Sequence, residues 1–262
     1  MTNTIHPNAV IDPSAQIGEG TTIGPFCVIG ANVKIGKNCI LHSHVVIDCH
    51  AEIGDDNEFF PFVSLMKPQD LKYNNEPTHI VIGNKNRIRE YVTINPGTVG
   101  DNSLTLIGDN NLLMIGVHIA HDCVVGSGNV LANNATLAGH VHIGNNVVIG
   151  GLSAFHQFVR VGDHAMIGGM SGVENDVIPY GLVMGERARL AGLNLVGLER
   201  RGFDKSDIQI LMKAFKQVFM GKEGTFKERL AKASKDYADN DVAATMLNFA
   251  TEDHTRPLCQ PK

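Results

Sequence analysis

A six-residue period dominates the first two thirds of the chain and leaves few folds open to it. Stepping by six from Ile5 gives Ile11, Ile17, Ile23, Ile29, Ile35, Leu41, Ile47, Ile53 and Phe59. A short run follows at Ile82, Ile88 and Ile94, and a third passes from Ile107 through Ile119, Leu137 and Phe155 to Val173. All 25 positions are apolar although only 43% of the chain is, so the column marks a buried edge. Two further columns move with it. The residue four places on is usually small, as at Cys27, Cys39, Cys123, Ala135 and Ser153, and the residue one place on is Gly in 12 of the 25 repeats. An aliphatic knob, a corner and a small filler describe one short strand and one bend. Three such units close a triangular coil, and coils stack as parallel strands about 4.8 Å apart. The expected fold is therefore a parallel β-helix of roughly eight coils, about 40 Å tall. Periodicity alone does not set its hand, since parallel crossovers are normally right-handed.

Breaks in the phase predict insertions near residues 66–80 and 99–106, and loops leaving a solenoid often cover a binding surface. After Val173 the pattern turns helical, giving a β-helix domain over 1–183 and a helical domain over 184–262. Ile208, Leu211, Phe215 and Val218 share one helix face after Ser206, with Gly221 at the expected end. Thr225 and Glu228 have capping-box spacing, and a last helix is expected around Val242, Met246 and Phe249. A helical cap over one end would hide an open strand edge. Charge divides the same way: residues 186–235 hold 12 Lys/Arg against 6 Asp/Glu, and the remainder 10 against 21. A basic cap on an acidic prism suits an acidic partner, or merely reflects solvated helix faces.

Composition excludes several classes. A pI near 6.2 and the lack of an aromatic-basic motif argue against nucleic acid. No 18-residue apolar run predicts stable membrane insertion, and the opening residues lack a signal-peptide pattern. Five cysteines without a Cys-x-x-Cys pair suit a reducing cytoplasm and no disulfide framework.

Residues 18 apart in such a coil lie on successive rungs. Ala120-His121-Asp122, Ala138-Gly139-His140 and His156-Gln157-Phe158 therefore stack at one corner, with His118 just before the first. None of the repeat's histidines occupies a knob or filler position, so a core role for His121 is disfavoured, while His118, His142 and His164 could be solvated surface residues. The patch supports two chemistries, general-base work by a neutral imidazole and metal ligation. Hexapeptide-repeat carbonic anhydrases, which share the repeat, use His-x4-His. No two histidines here are five apart, so no metal and no cofactor is expected. Cys27, Cys39 and Cys123 read as buried filler, Cys259 as part of a terminal tail, and no Gly-x-Ser-x-Gly appears.

These motifs resemble the UDP-N-acetylglucosamine O-acyltransferase family: His118-Ile-Ala-His121-Asp122-Cys123, Leu131 to His140, Gly150-Gly151 before His156-Gln157-Phe158, Gln69 to Tyr73, Asn86 to Glu90, and Gly197 to Phe203. The resemblance implies a left-handed coil, a homotrimer with sites between neighbouring prisms, and the first step of lipid A synthesis. It implies transfer of a 3-hydroxyacyl chain from acyl carrier protein to the 3-hydroxyl of UDP-N-acetylglucosamine. Carried over by position, His121 is the general base, Asp122 orients it, and the Gly139 N–H receives the oxyanion. Asp70, Lys72, His118, His140, His156 and Gln157 match substrate contacts, while Asn194 and Arg201 match the uridine-diphosphate side. Gly169 falls where acyl length is measured and predicts a long chain. Arg200, Lys205 and the basic cap fit carrier-protein docking. Asn95-Pro96-Gly97-Thr98 departs from the frequent His-Arg-Gly-Thr, and Val196 and Arg187 also differ from common relatives. Two other readings stand beside this one. The related N-acyltransferase carries an extra N-terminal uridine-binding domain, whereas the hexads here start at Ile5; the other is a non-catalytic scaffold.

Overall fold

The computed structural model describes residues 2–69, 73–74, 76–252 and 255–262. Asp70 and Lys72, two of the expected substrate contacts, lie outside the described residues.

Strands of two to four residues follow one another from Thr4–Ile5 to Gly172–Val173, and every third strand belongs to the same parallel sheet. Register follows the knob column. Ile5 pairs with Ile23, Leu113 with Leu131 and Ile149 with Ile167, so like residues stack on like residues along each face. From Ile23 to Val173 the knobs are buried, and the small fillers Cys27, Cys39, Val63, Cys123 and Ala135 are fully so. Leu65 adds one knob beyond those read from the sequence.

The corners divide their work between two positions. Three residues after a knob the backbone is left-handed, as at Asn32 (φ 62°), Asp122 (φ 58°), His140 (φ 62°) and Phe158 (φ 65°). The glycines one residue after a knob meet a different demand: a Cβ on Gly18 would lie 2.5 Å from the Gly36 backbone in the next coil. Close stacking, rather than a flexible corner, explains that column.

One filler column is polar. Asn86 donates its N–H and its Nδ2 to Asn57 Oδ1 at 2.9 and 3.0 Å, Asn111 repeats both bonds to Asn86 Oδ1, and the Asn129 N–H reaches Asn111 Oδ1 at 2.8 Å. These asparagines depart from the small residues that fill the same place in most other coils.

Helices do not supply the main cover of the last coil. An antiparallel hairpin, Gly181–Met184 with Arg189–Leu193, extends one sheet, and the tail pairs at Asp176 with Leu258. Gly172 donates to Gly185 O at 3.0 Å and accepts from Ala188 N at 2.8 Å. Only extended backbone can answer the unpaired N–H and C=O groups of a strand edge in this way. Cys259 is consequently buried rather than on a free tail, and burial pushes its thiol up to about 11. The helices are α1 (Leu195–Arg200), α2 (Lys205–Phe215), α3 (Phe226–Asp236) and α4 (Asp241–Thr251). Asn194 caps α1, which the sequence reading missed. α2 starts after Asp204 rather than Ser206 and runs on as a π-helical turn, Lys216–Met220, before Gly221. The capping box at Thr225 and Glu228 is formed as expected.

Candidate active site

Both insertions leave the same corner, after Leu65 and after Ile94, in the two coils that precede His121. The second folds back over that corner. The Thr98 N–H donates to Asp122 Oδ1 and Oδ2 at 2.9 and 3.1 Å, and its hydroxyl to Oδ2 at 2.7 Å. The Asp122 N–H donates in turn to Thr105 Oγ1 at 2.9 Å. The carboxylate is 2% exposed and accepts the His121 Nδ1 proton at 2.8 Å. A carboxylate has no proton to give, so in the neutral imidazole this bond selects the tautomer with Nε2 bare.

Gly139 sits one rung above. A Cβ there would lie 2.5 Å from His121 Cε1 and 2.6 Å from Nε2, so the ring's Cε1–Nε2 edge occupies the space a side chain would take. Among the described residues its N–H has no backbone acceptor. The same rung carries His140, whose ring meets His121 edge-on at 5.0 Å and stacks on Phe158 at 4.5 Å. Its Nδ1 lies 2.8 Å from Asp101 Oδ2.

His118 is half-buried and bonded to Thr93 Oγ1 at 2.7 Å, not solvated; burial, with a smaller push from His121, holds its pKa below the usual imidazole value. His156 and Gln157 share the corner and are exposed, and both meet Arg256 from the tail, which donates Nε to Gln157 O at 3.0 Å and contacts His156 Nδ1. His121, Asp122 and His140 bring one ligand atom each within 4.8 Å of one another, a geometry a metal ion could use. In the described state, however, Asp122 and Asp101 already occupy both Nδ1 atoms. Thiol chemistry has no support, since burial pushes Cys123 up to about 12.

The other expected site residues lie at other corners. Asn194 caps α1 by accepting from the Gly197 N–H at 3.2 Å and donates Nδ2 to His164 O at 2.9 Å. Asn194, Arg200 and Arg201 line one cleft of about 680 Å³, floored by Val148, Met166 and Leu182. His164, one sheet away from the His121 corner, is wedged between Tyr180 and Phe203 with a buried, unpartnered Nδ1, so it is not the solvated residue that was one expectation. Gly169 is at the third corner and exposed, where a Cβ would lie 3.3 Å from Gly151 O of the neighbouring coil. Lys205 opens α2 and is exposed. One chain therefore brings together His121, Asp122, Gly139 and His140 and, separately, Asn194, Arg200 and Arg201.

A hexad coil that holds an oriented imidazole beneath a bare backbone N–H defines the class: a hexapeptide-repeat acyltransferase. Residues 2–31, 14–49 and 104–139 match the bacterial transferase hexapeptide family, and residues 176–259 match the family described as UDP N-acetylglucosamine O-acyltransferase, domain 2. A Rickettsia felis acyl-[acyl-carrier-protein]–UDP-N-acetylglucosamine O-acyltransferase is 54% identical over 98% of this chain and 97% of its own. The solved UDP-N-acetylglucosamine O-acyltransferase of Moraxella catarrhalis superposes with a TM-score of 0.92 at 44% identity, covering 98% and 99% of the two chains. The Francisella novicida UDP-N-acetylglucosamine acyltransferase does so with 0.94 at 37%, covering 98% and 94%. The chain belongs to the acyl-[acyl-carrier-protein]–UDP-N-acetylglucosamine O-acyltransferase family, and its coil is left-handed.

Proposed function

We propose that the chain transfers a 3-hydroxyacyl group from acyl carrier protein to the 3-hydroxyl of UDP-N-acetylglucosamine, the first step of lipid A synthesis. His121 Nε2 takes the hydroxyl proton as the oxygen attacks the thioester carbonyl. Charge moves onto the carbonyl oxygen, where the Gly139 N–H receives it. Collapse expels the carrier thiolate, which takes the proton back from the imidazolium, and Asp122 stabilises that cation in the interval. Every proton is returned and no external acid or base is consumed.

The observation that carries this reading is the contact of Gly139 with the His121 ring edge, because base and oxyanion donor must flank one reacting carbon. His118, His140, His156 and Gln157 would hold the sugar and the acyl chain's head at that corner, together with Asp70 and Lys72. Asn194 and Arg201 would hold the uridine diphosphate, a guanidinium matching phosphate oxygens by its forked donors. Because one chain places these two groups at different corners, a complete site needs a neighbouring prism, which supports a homotrimer. Gly169, with no side chain to block the groove, favours a long acyl group. Arg200, Lys205 and the excess of basic residues over 186–235 suit the acidic carrier protein. No helix among the described residues is long and apolar enough to cross a membrane, in keeping with a cytoplasmic enzyme that meets water-soluble substrates. Incubation with UDP-N-acetylglucosamine and 3-hydroxyacyl carrier proteins of several lengths, followed by mass measurement, is expected to give an O-acylated sugar nucleotide with the longer chains. No acylated product at any length would refute the proposal.

A further inference from the structure

His140 is constrained on three sides. Phe158 lies flat against one face at 4.5 Å and 9°, the His121 ring stands edge-on at 5.0 Å and 89°, and Nδ1 is 2.8 Å from Asp101 Oδ2. Of the two ring nitrogens, Nδ1 is engaged, and among the described residues Nε2 has no hydrogen-bond partner. Asp101 belongs to the same insertion that sends Thr98 to Asp122, so one loop grips the histidine of one rung and, through Asp122, the histidine of the rung below. It sits in a turn closed by its own N–H on Thr98 O at 3.3 Å.

We propose that Asp101 is a positioning residue that keeps the proton of His140 on Nδ1, so that Nε2 meets the sugar nucleotide as a lone-pair acceptor for a hydroxyl or amide N–H. The carboxylate can only accept, which decides the tautomer. The two imidazoles then present the same bare nitrogen from adjacent rungs. His121 removes the proton of the attacking hydroxyl, and His140 reads a neighbouring donor and rejects a group that lacks one. The inference rests on the reading that His140 touches the sugar.

The test uses the full-length protein with ¹⁵N-labelled histidine at pH 8. The His140 ring is expected to show a protonated Nδ1 and a bare Nε2. In Asp101→Ala the proton moves largely to Nε2, as in a free histidine side chain, and Asp101→Glu restores the original pattern. In parallel, calorimetric Kd for UDP-N-acetylglucosamine is expected to rise about five- to tenfold in Asp101→Ala, the loss of one hydrogen bond, with recovery in Asp101→Glu. Asp101 is partly exposed, so its removal leaves the coil intact, and an unchanged Tm checks this. An unchanged tautomer in Asp101→Ala would overturn the proposal, and so would a changed tautomer with unchanged Kd. Failure of the unaltered protein to bind the sugar nucleotide would instead defeat the reading of the site on which the inference depends.

Discussion

Gly139 has no side chain because the space is taken. Its missing Cβ would fall 2.5 Å from the His121 ring, and that ring cannot yield freely while Asp122 holds Nδ1. Gly139→Ala is therefore expected to swing the imidazole off its axis and lower kcat about 100-fold, the cost of misplacing a reacting group by about an ångström. Thermal unfolding should change little, since the collision is with a side chain; a variant that keeps full turnover would show that the two groups do not share a reacting centre. His164 answers to pH instead. Burial, then the nearby Arg201, depress its pKa, and burial does the same at His118 and His142. A folded pKa below the unfolded one means that the unfolded chain binds protons first as pH falls through about 6.5. Stability is thus lost on acidification. Phe occupies the same left-handed corner position at Phe26, Phe62 and Phe158, so His164→Phe should fold. Its Tm is expected to drop less between pH 7.5 and 5.5 than that of the unaltered protein, and an equal drop would contradict a role for this imidazole.

Elements differ in how plainly the sequence announces them. The coil is legible because one knob every six residues is a strong signal, and its 18-residue turn places Gly139 over His121 by counting alone. The hairpin and tail that close the last coil are not legible: their strands repeat no hexad, and a period-based reading passes from coil to helix without seeing them. Thr98 and Asp101 were missed for a related reason. They reach Asp122 and His140 across 24 and 39 residues from an insertion whose path the period does not set. The polar ladder lay hidden in a column where Cys39 and Asn57 occupy equivalent places, so only the recurrence of Asn at Asn57, Asn86, Asn111 and Asn129 could have disclosed it. Asn111 accepts the Asn129 N–H and donates to Asn86 Oδ1 and, at 2.9 Å, to Gly126 O. Asn111→Ala leaves the Asn129 N–H and Gly126 O without that amide, while Asn86 Oδ1 keeps the Asn111 backbone N–H, and should cost about 2 kcal/mol, read from the urea midpoint. A midpoint shift near zero would mean that water replaces the amide.

At the scale of the whole molecule, His121 and the cleft lined by Asn194 and Arg201 lie at different corners of one prism, so the proposed reaction requires an assembly in which two chains share a site. Two variants make this testable when assayed well below saturation with the sugar nucleotide, where His121→Ala is expected to lack turnover and Arg201→Ala to bind poorly. Co-expressed His121→Ala and Arg201→Ala chains are expected to recover part of the unaltered activity, because some interfaces in a mixed assembly pair an intact His121 with an intact Arg201. No recovery above the sum of the separate variants would place both residues in one chain's site. The proposed reaction turns on proton removal by a single imidazole. Its most direct test is the turnover of purified His121→Ala with saturating 3-hydroxyacyl carrier protein and UDP-N-acetylglucosamine, scored by mass of the O-acylated product. The expected result is a fall in kcat of about 1,000-fold or more with the oligomer and the Kd for the sugar nucleotide unchanged; turnover within about tenfold of the unaltered protein would show that another group takes the proton.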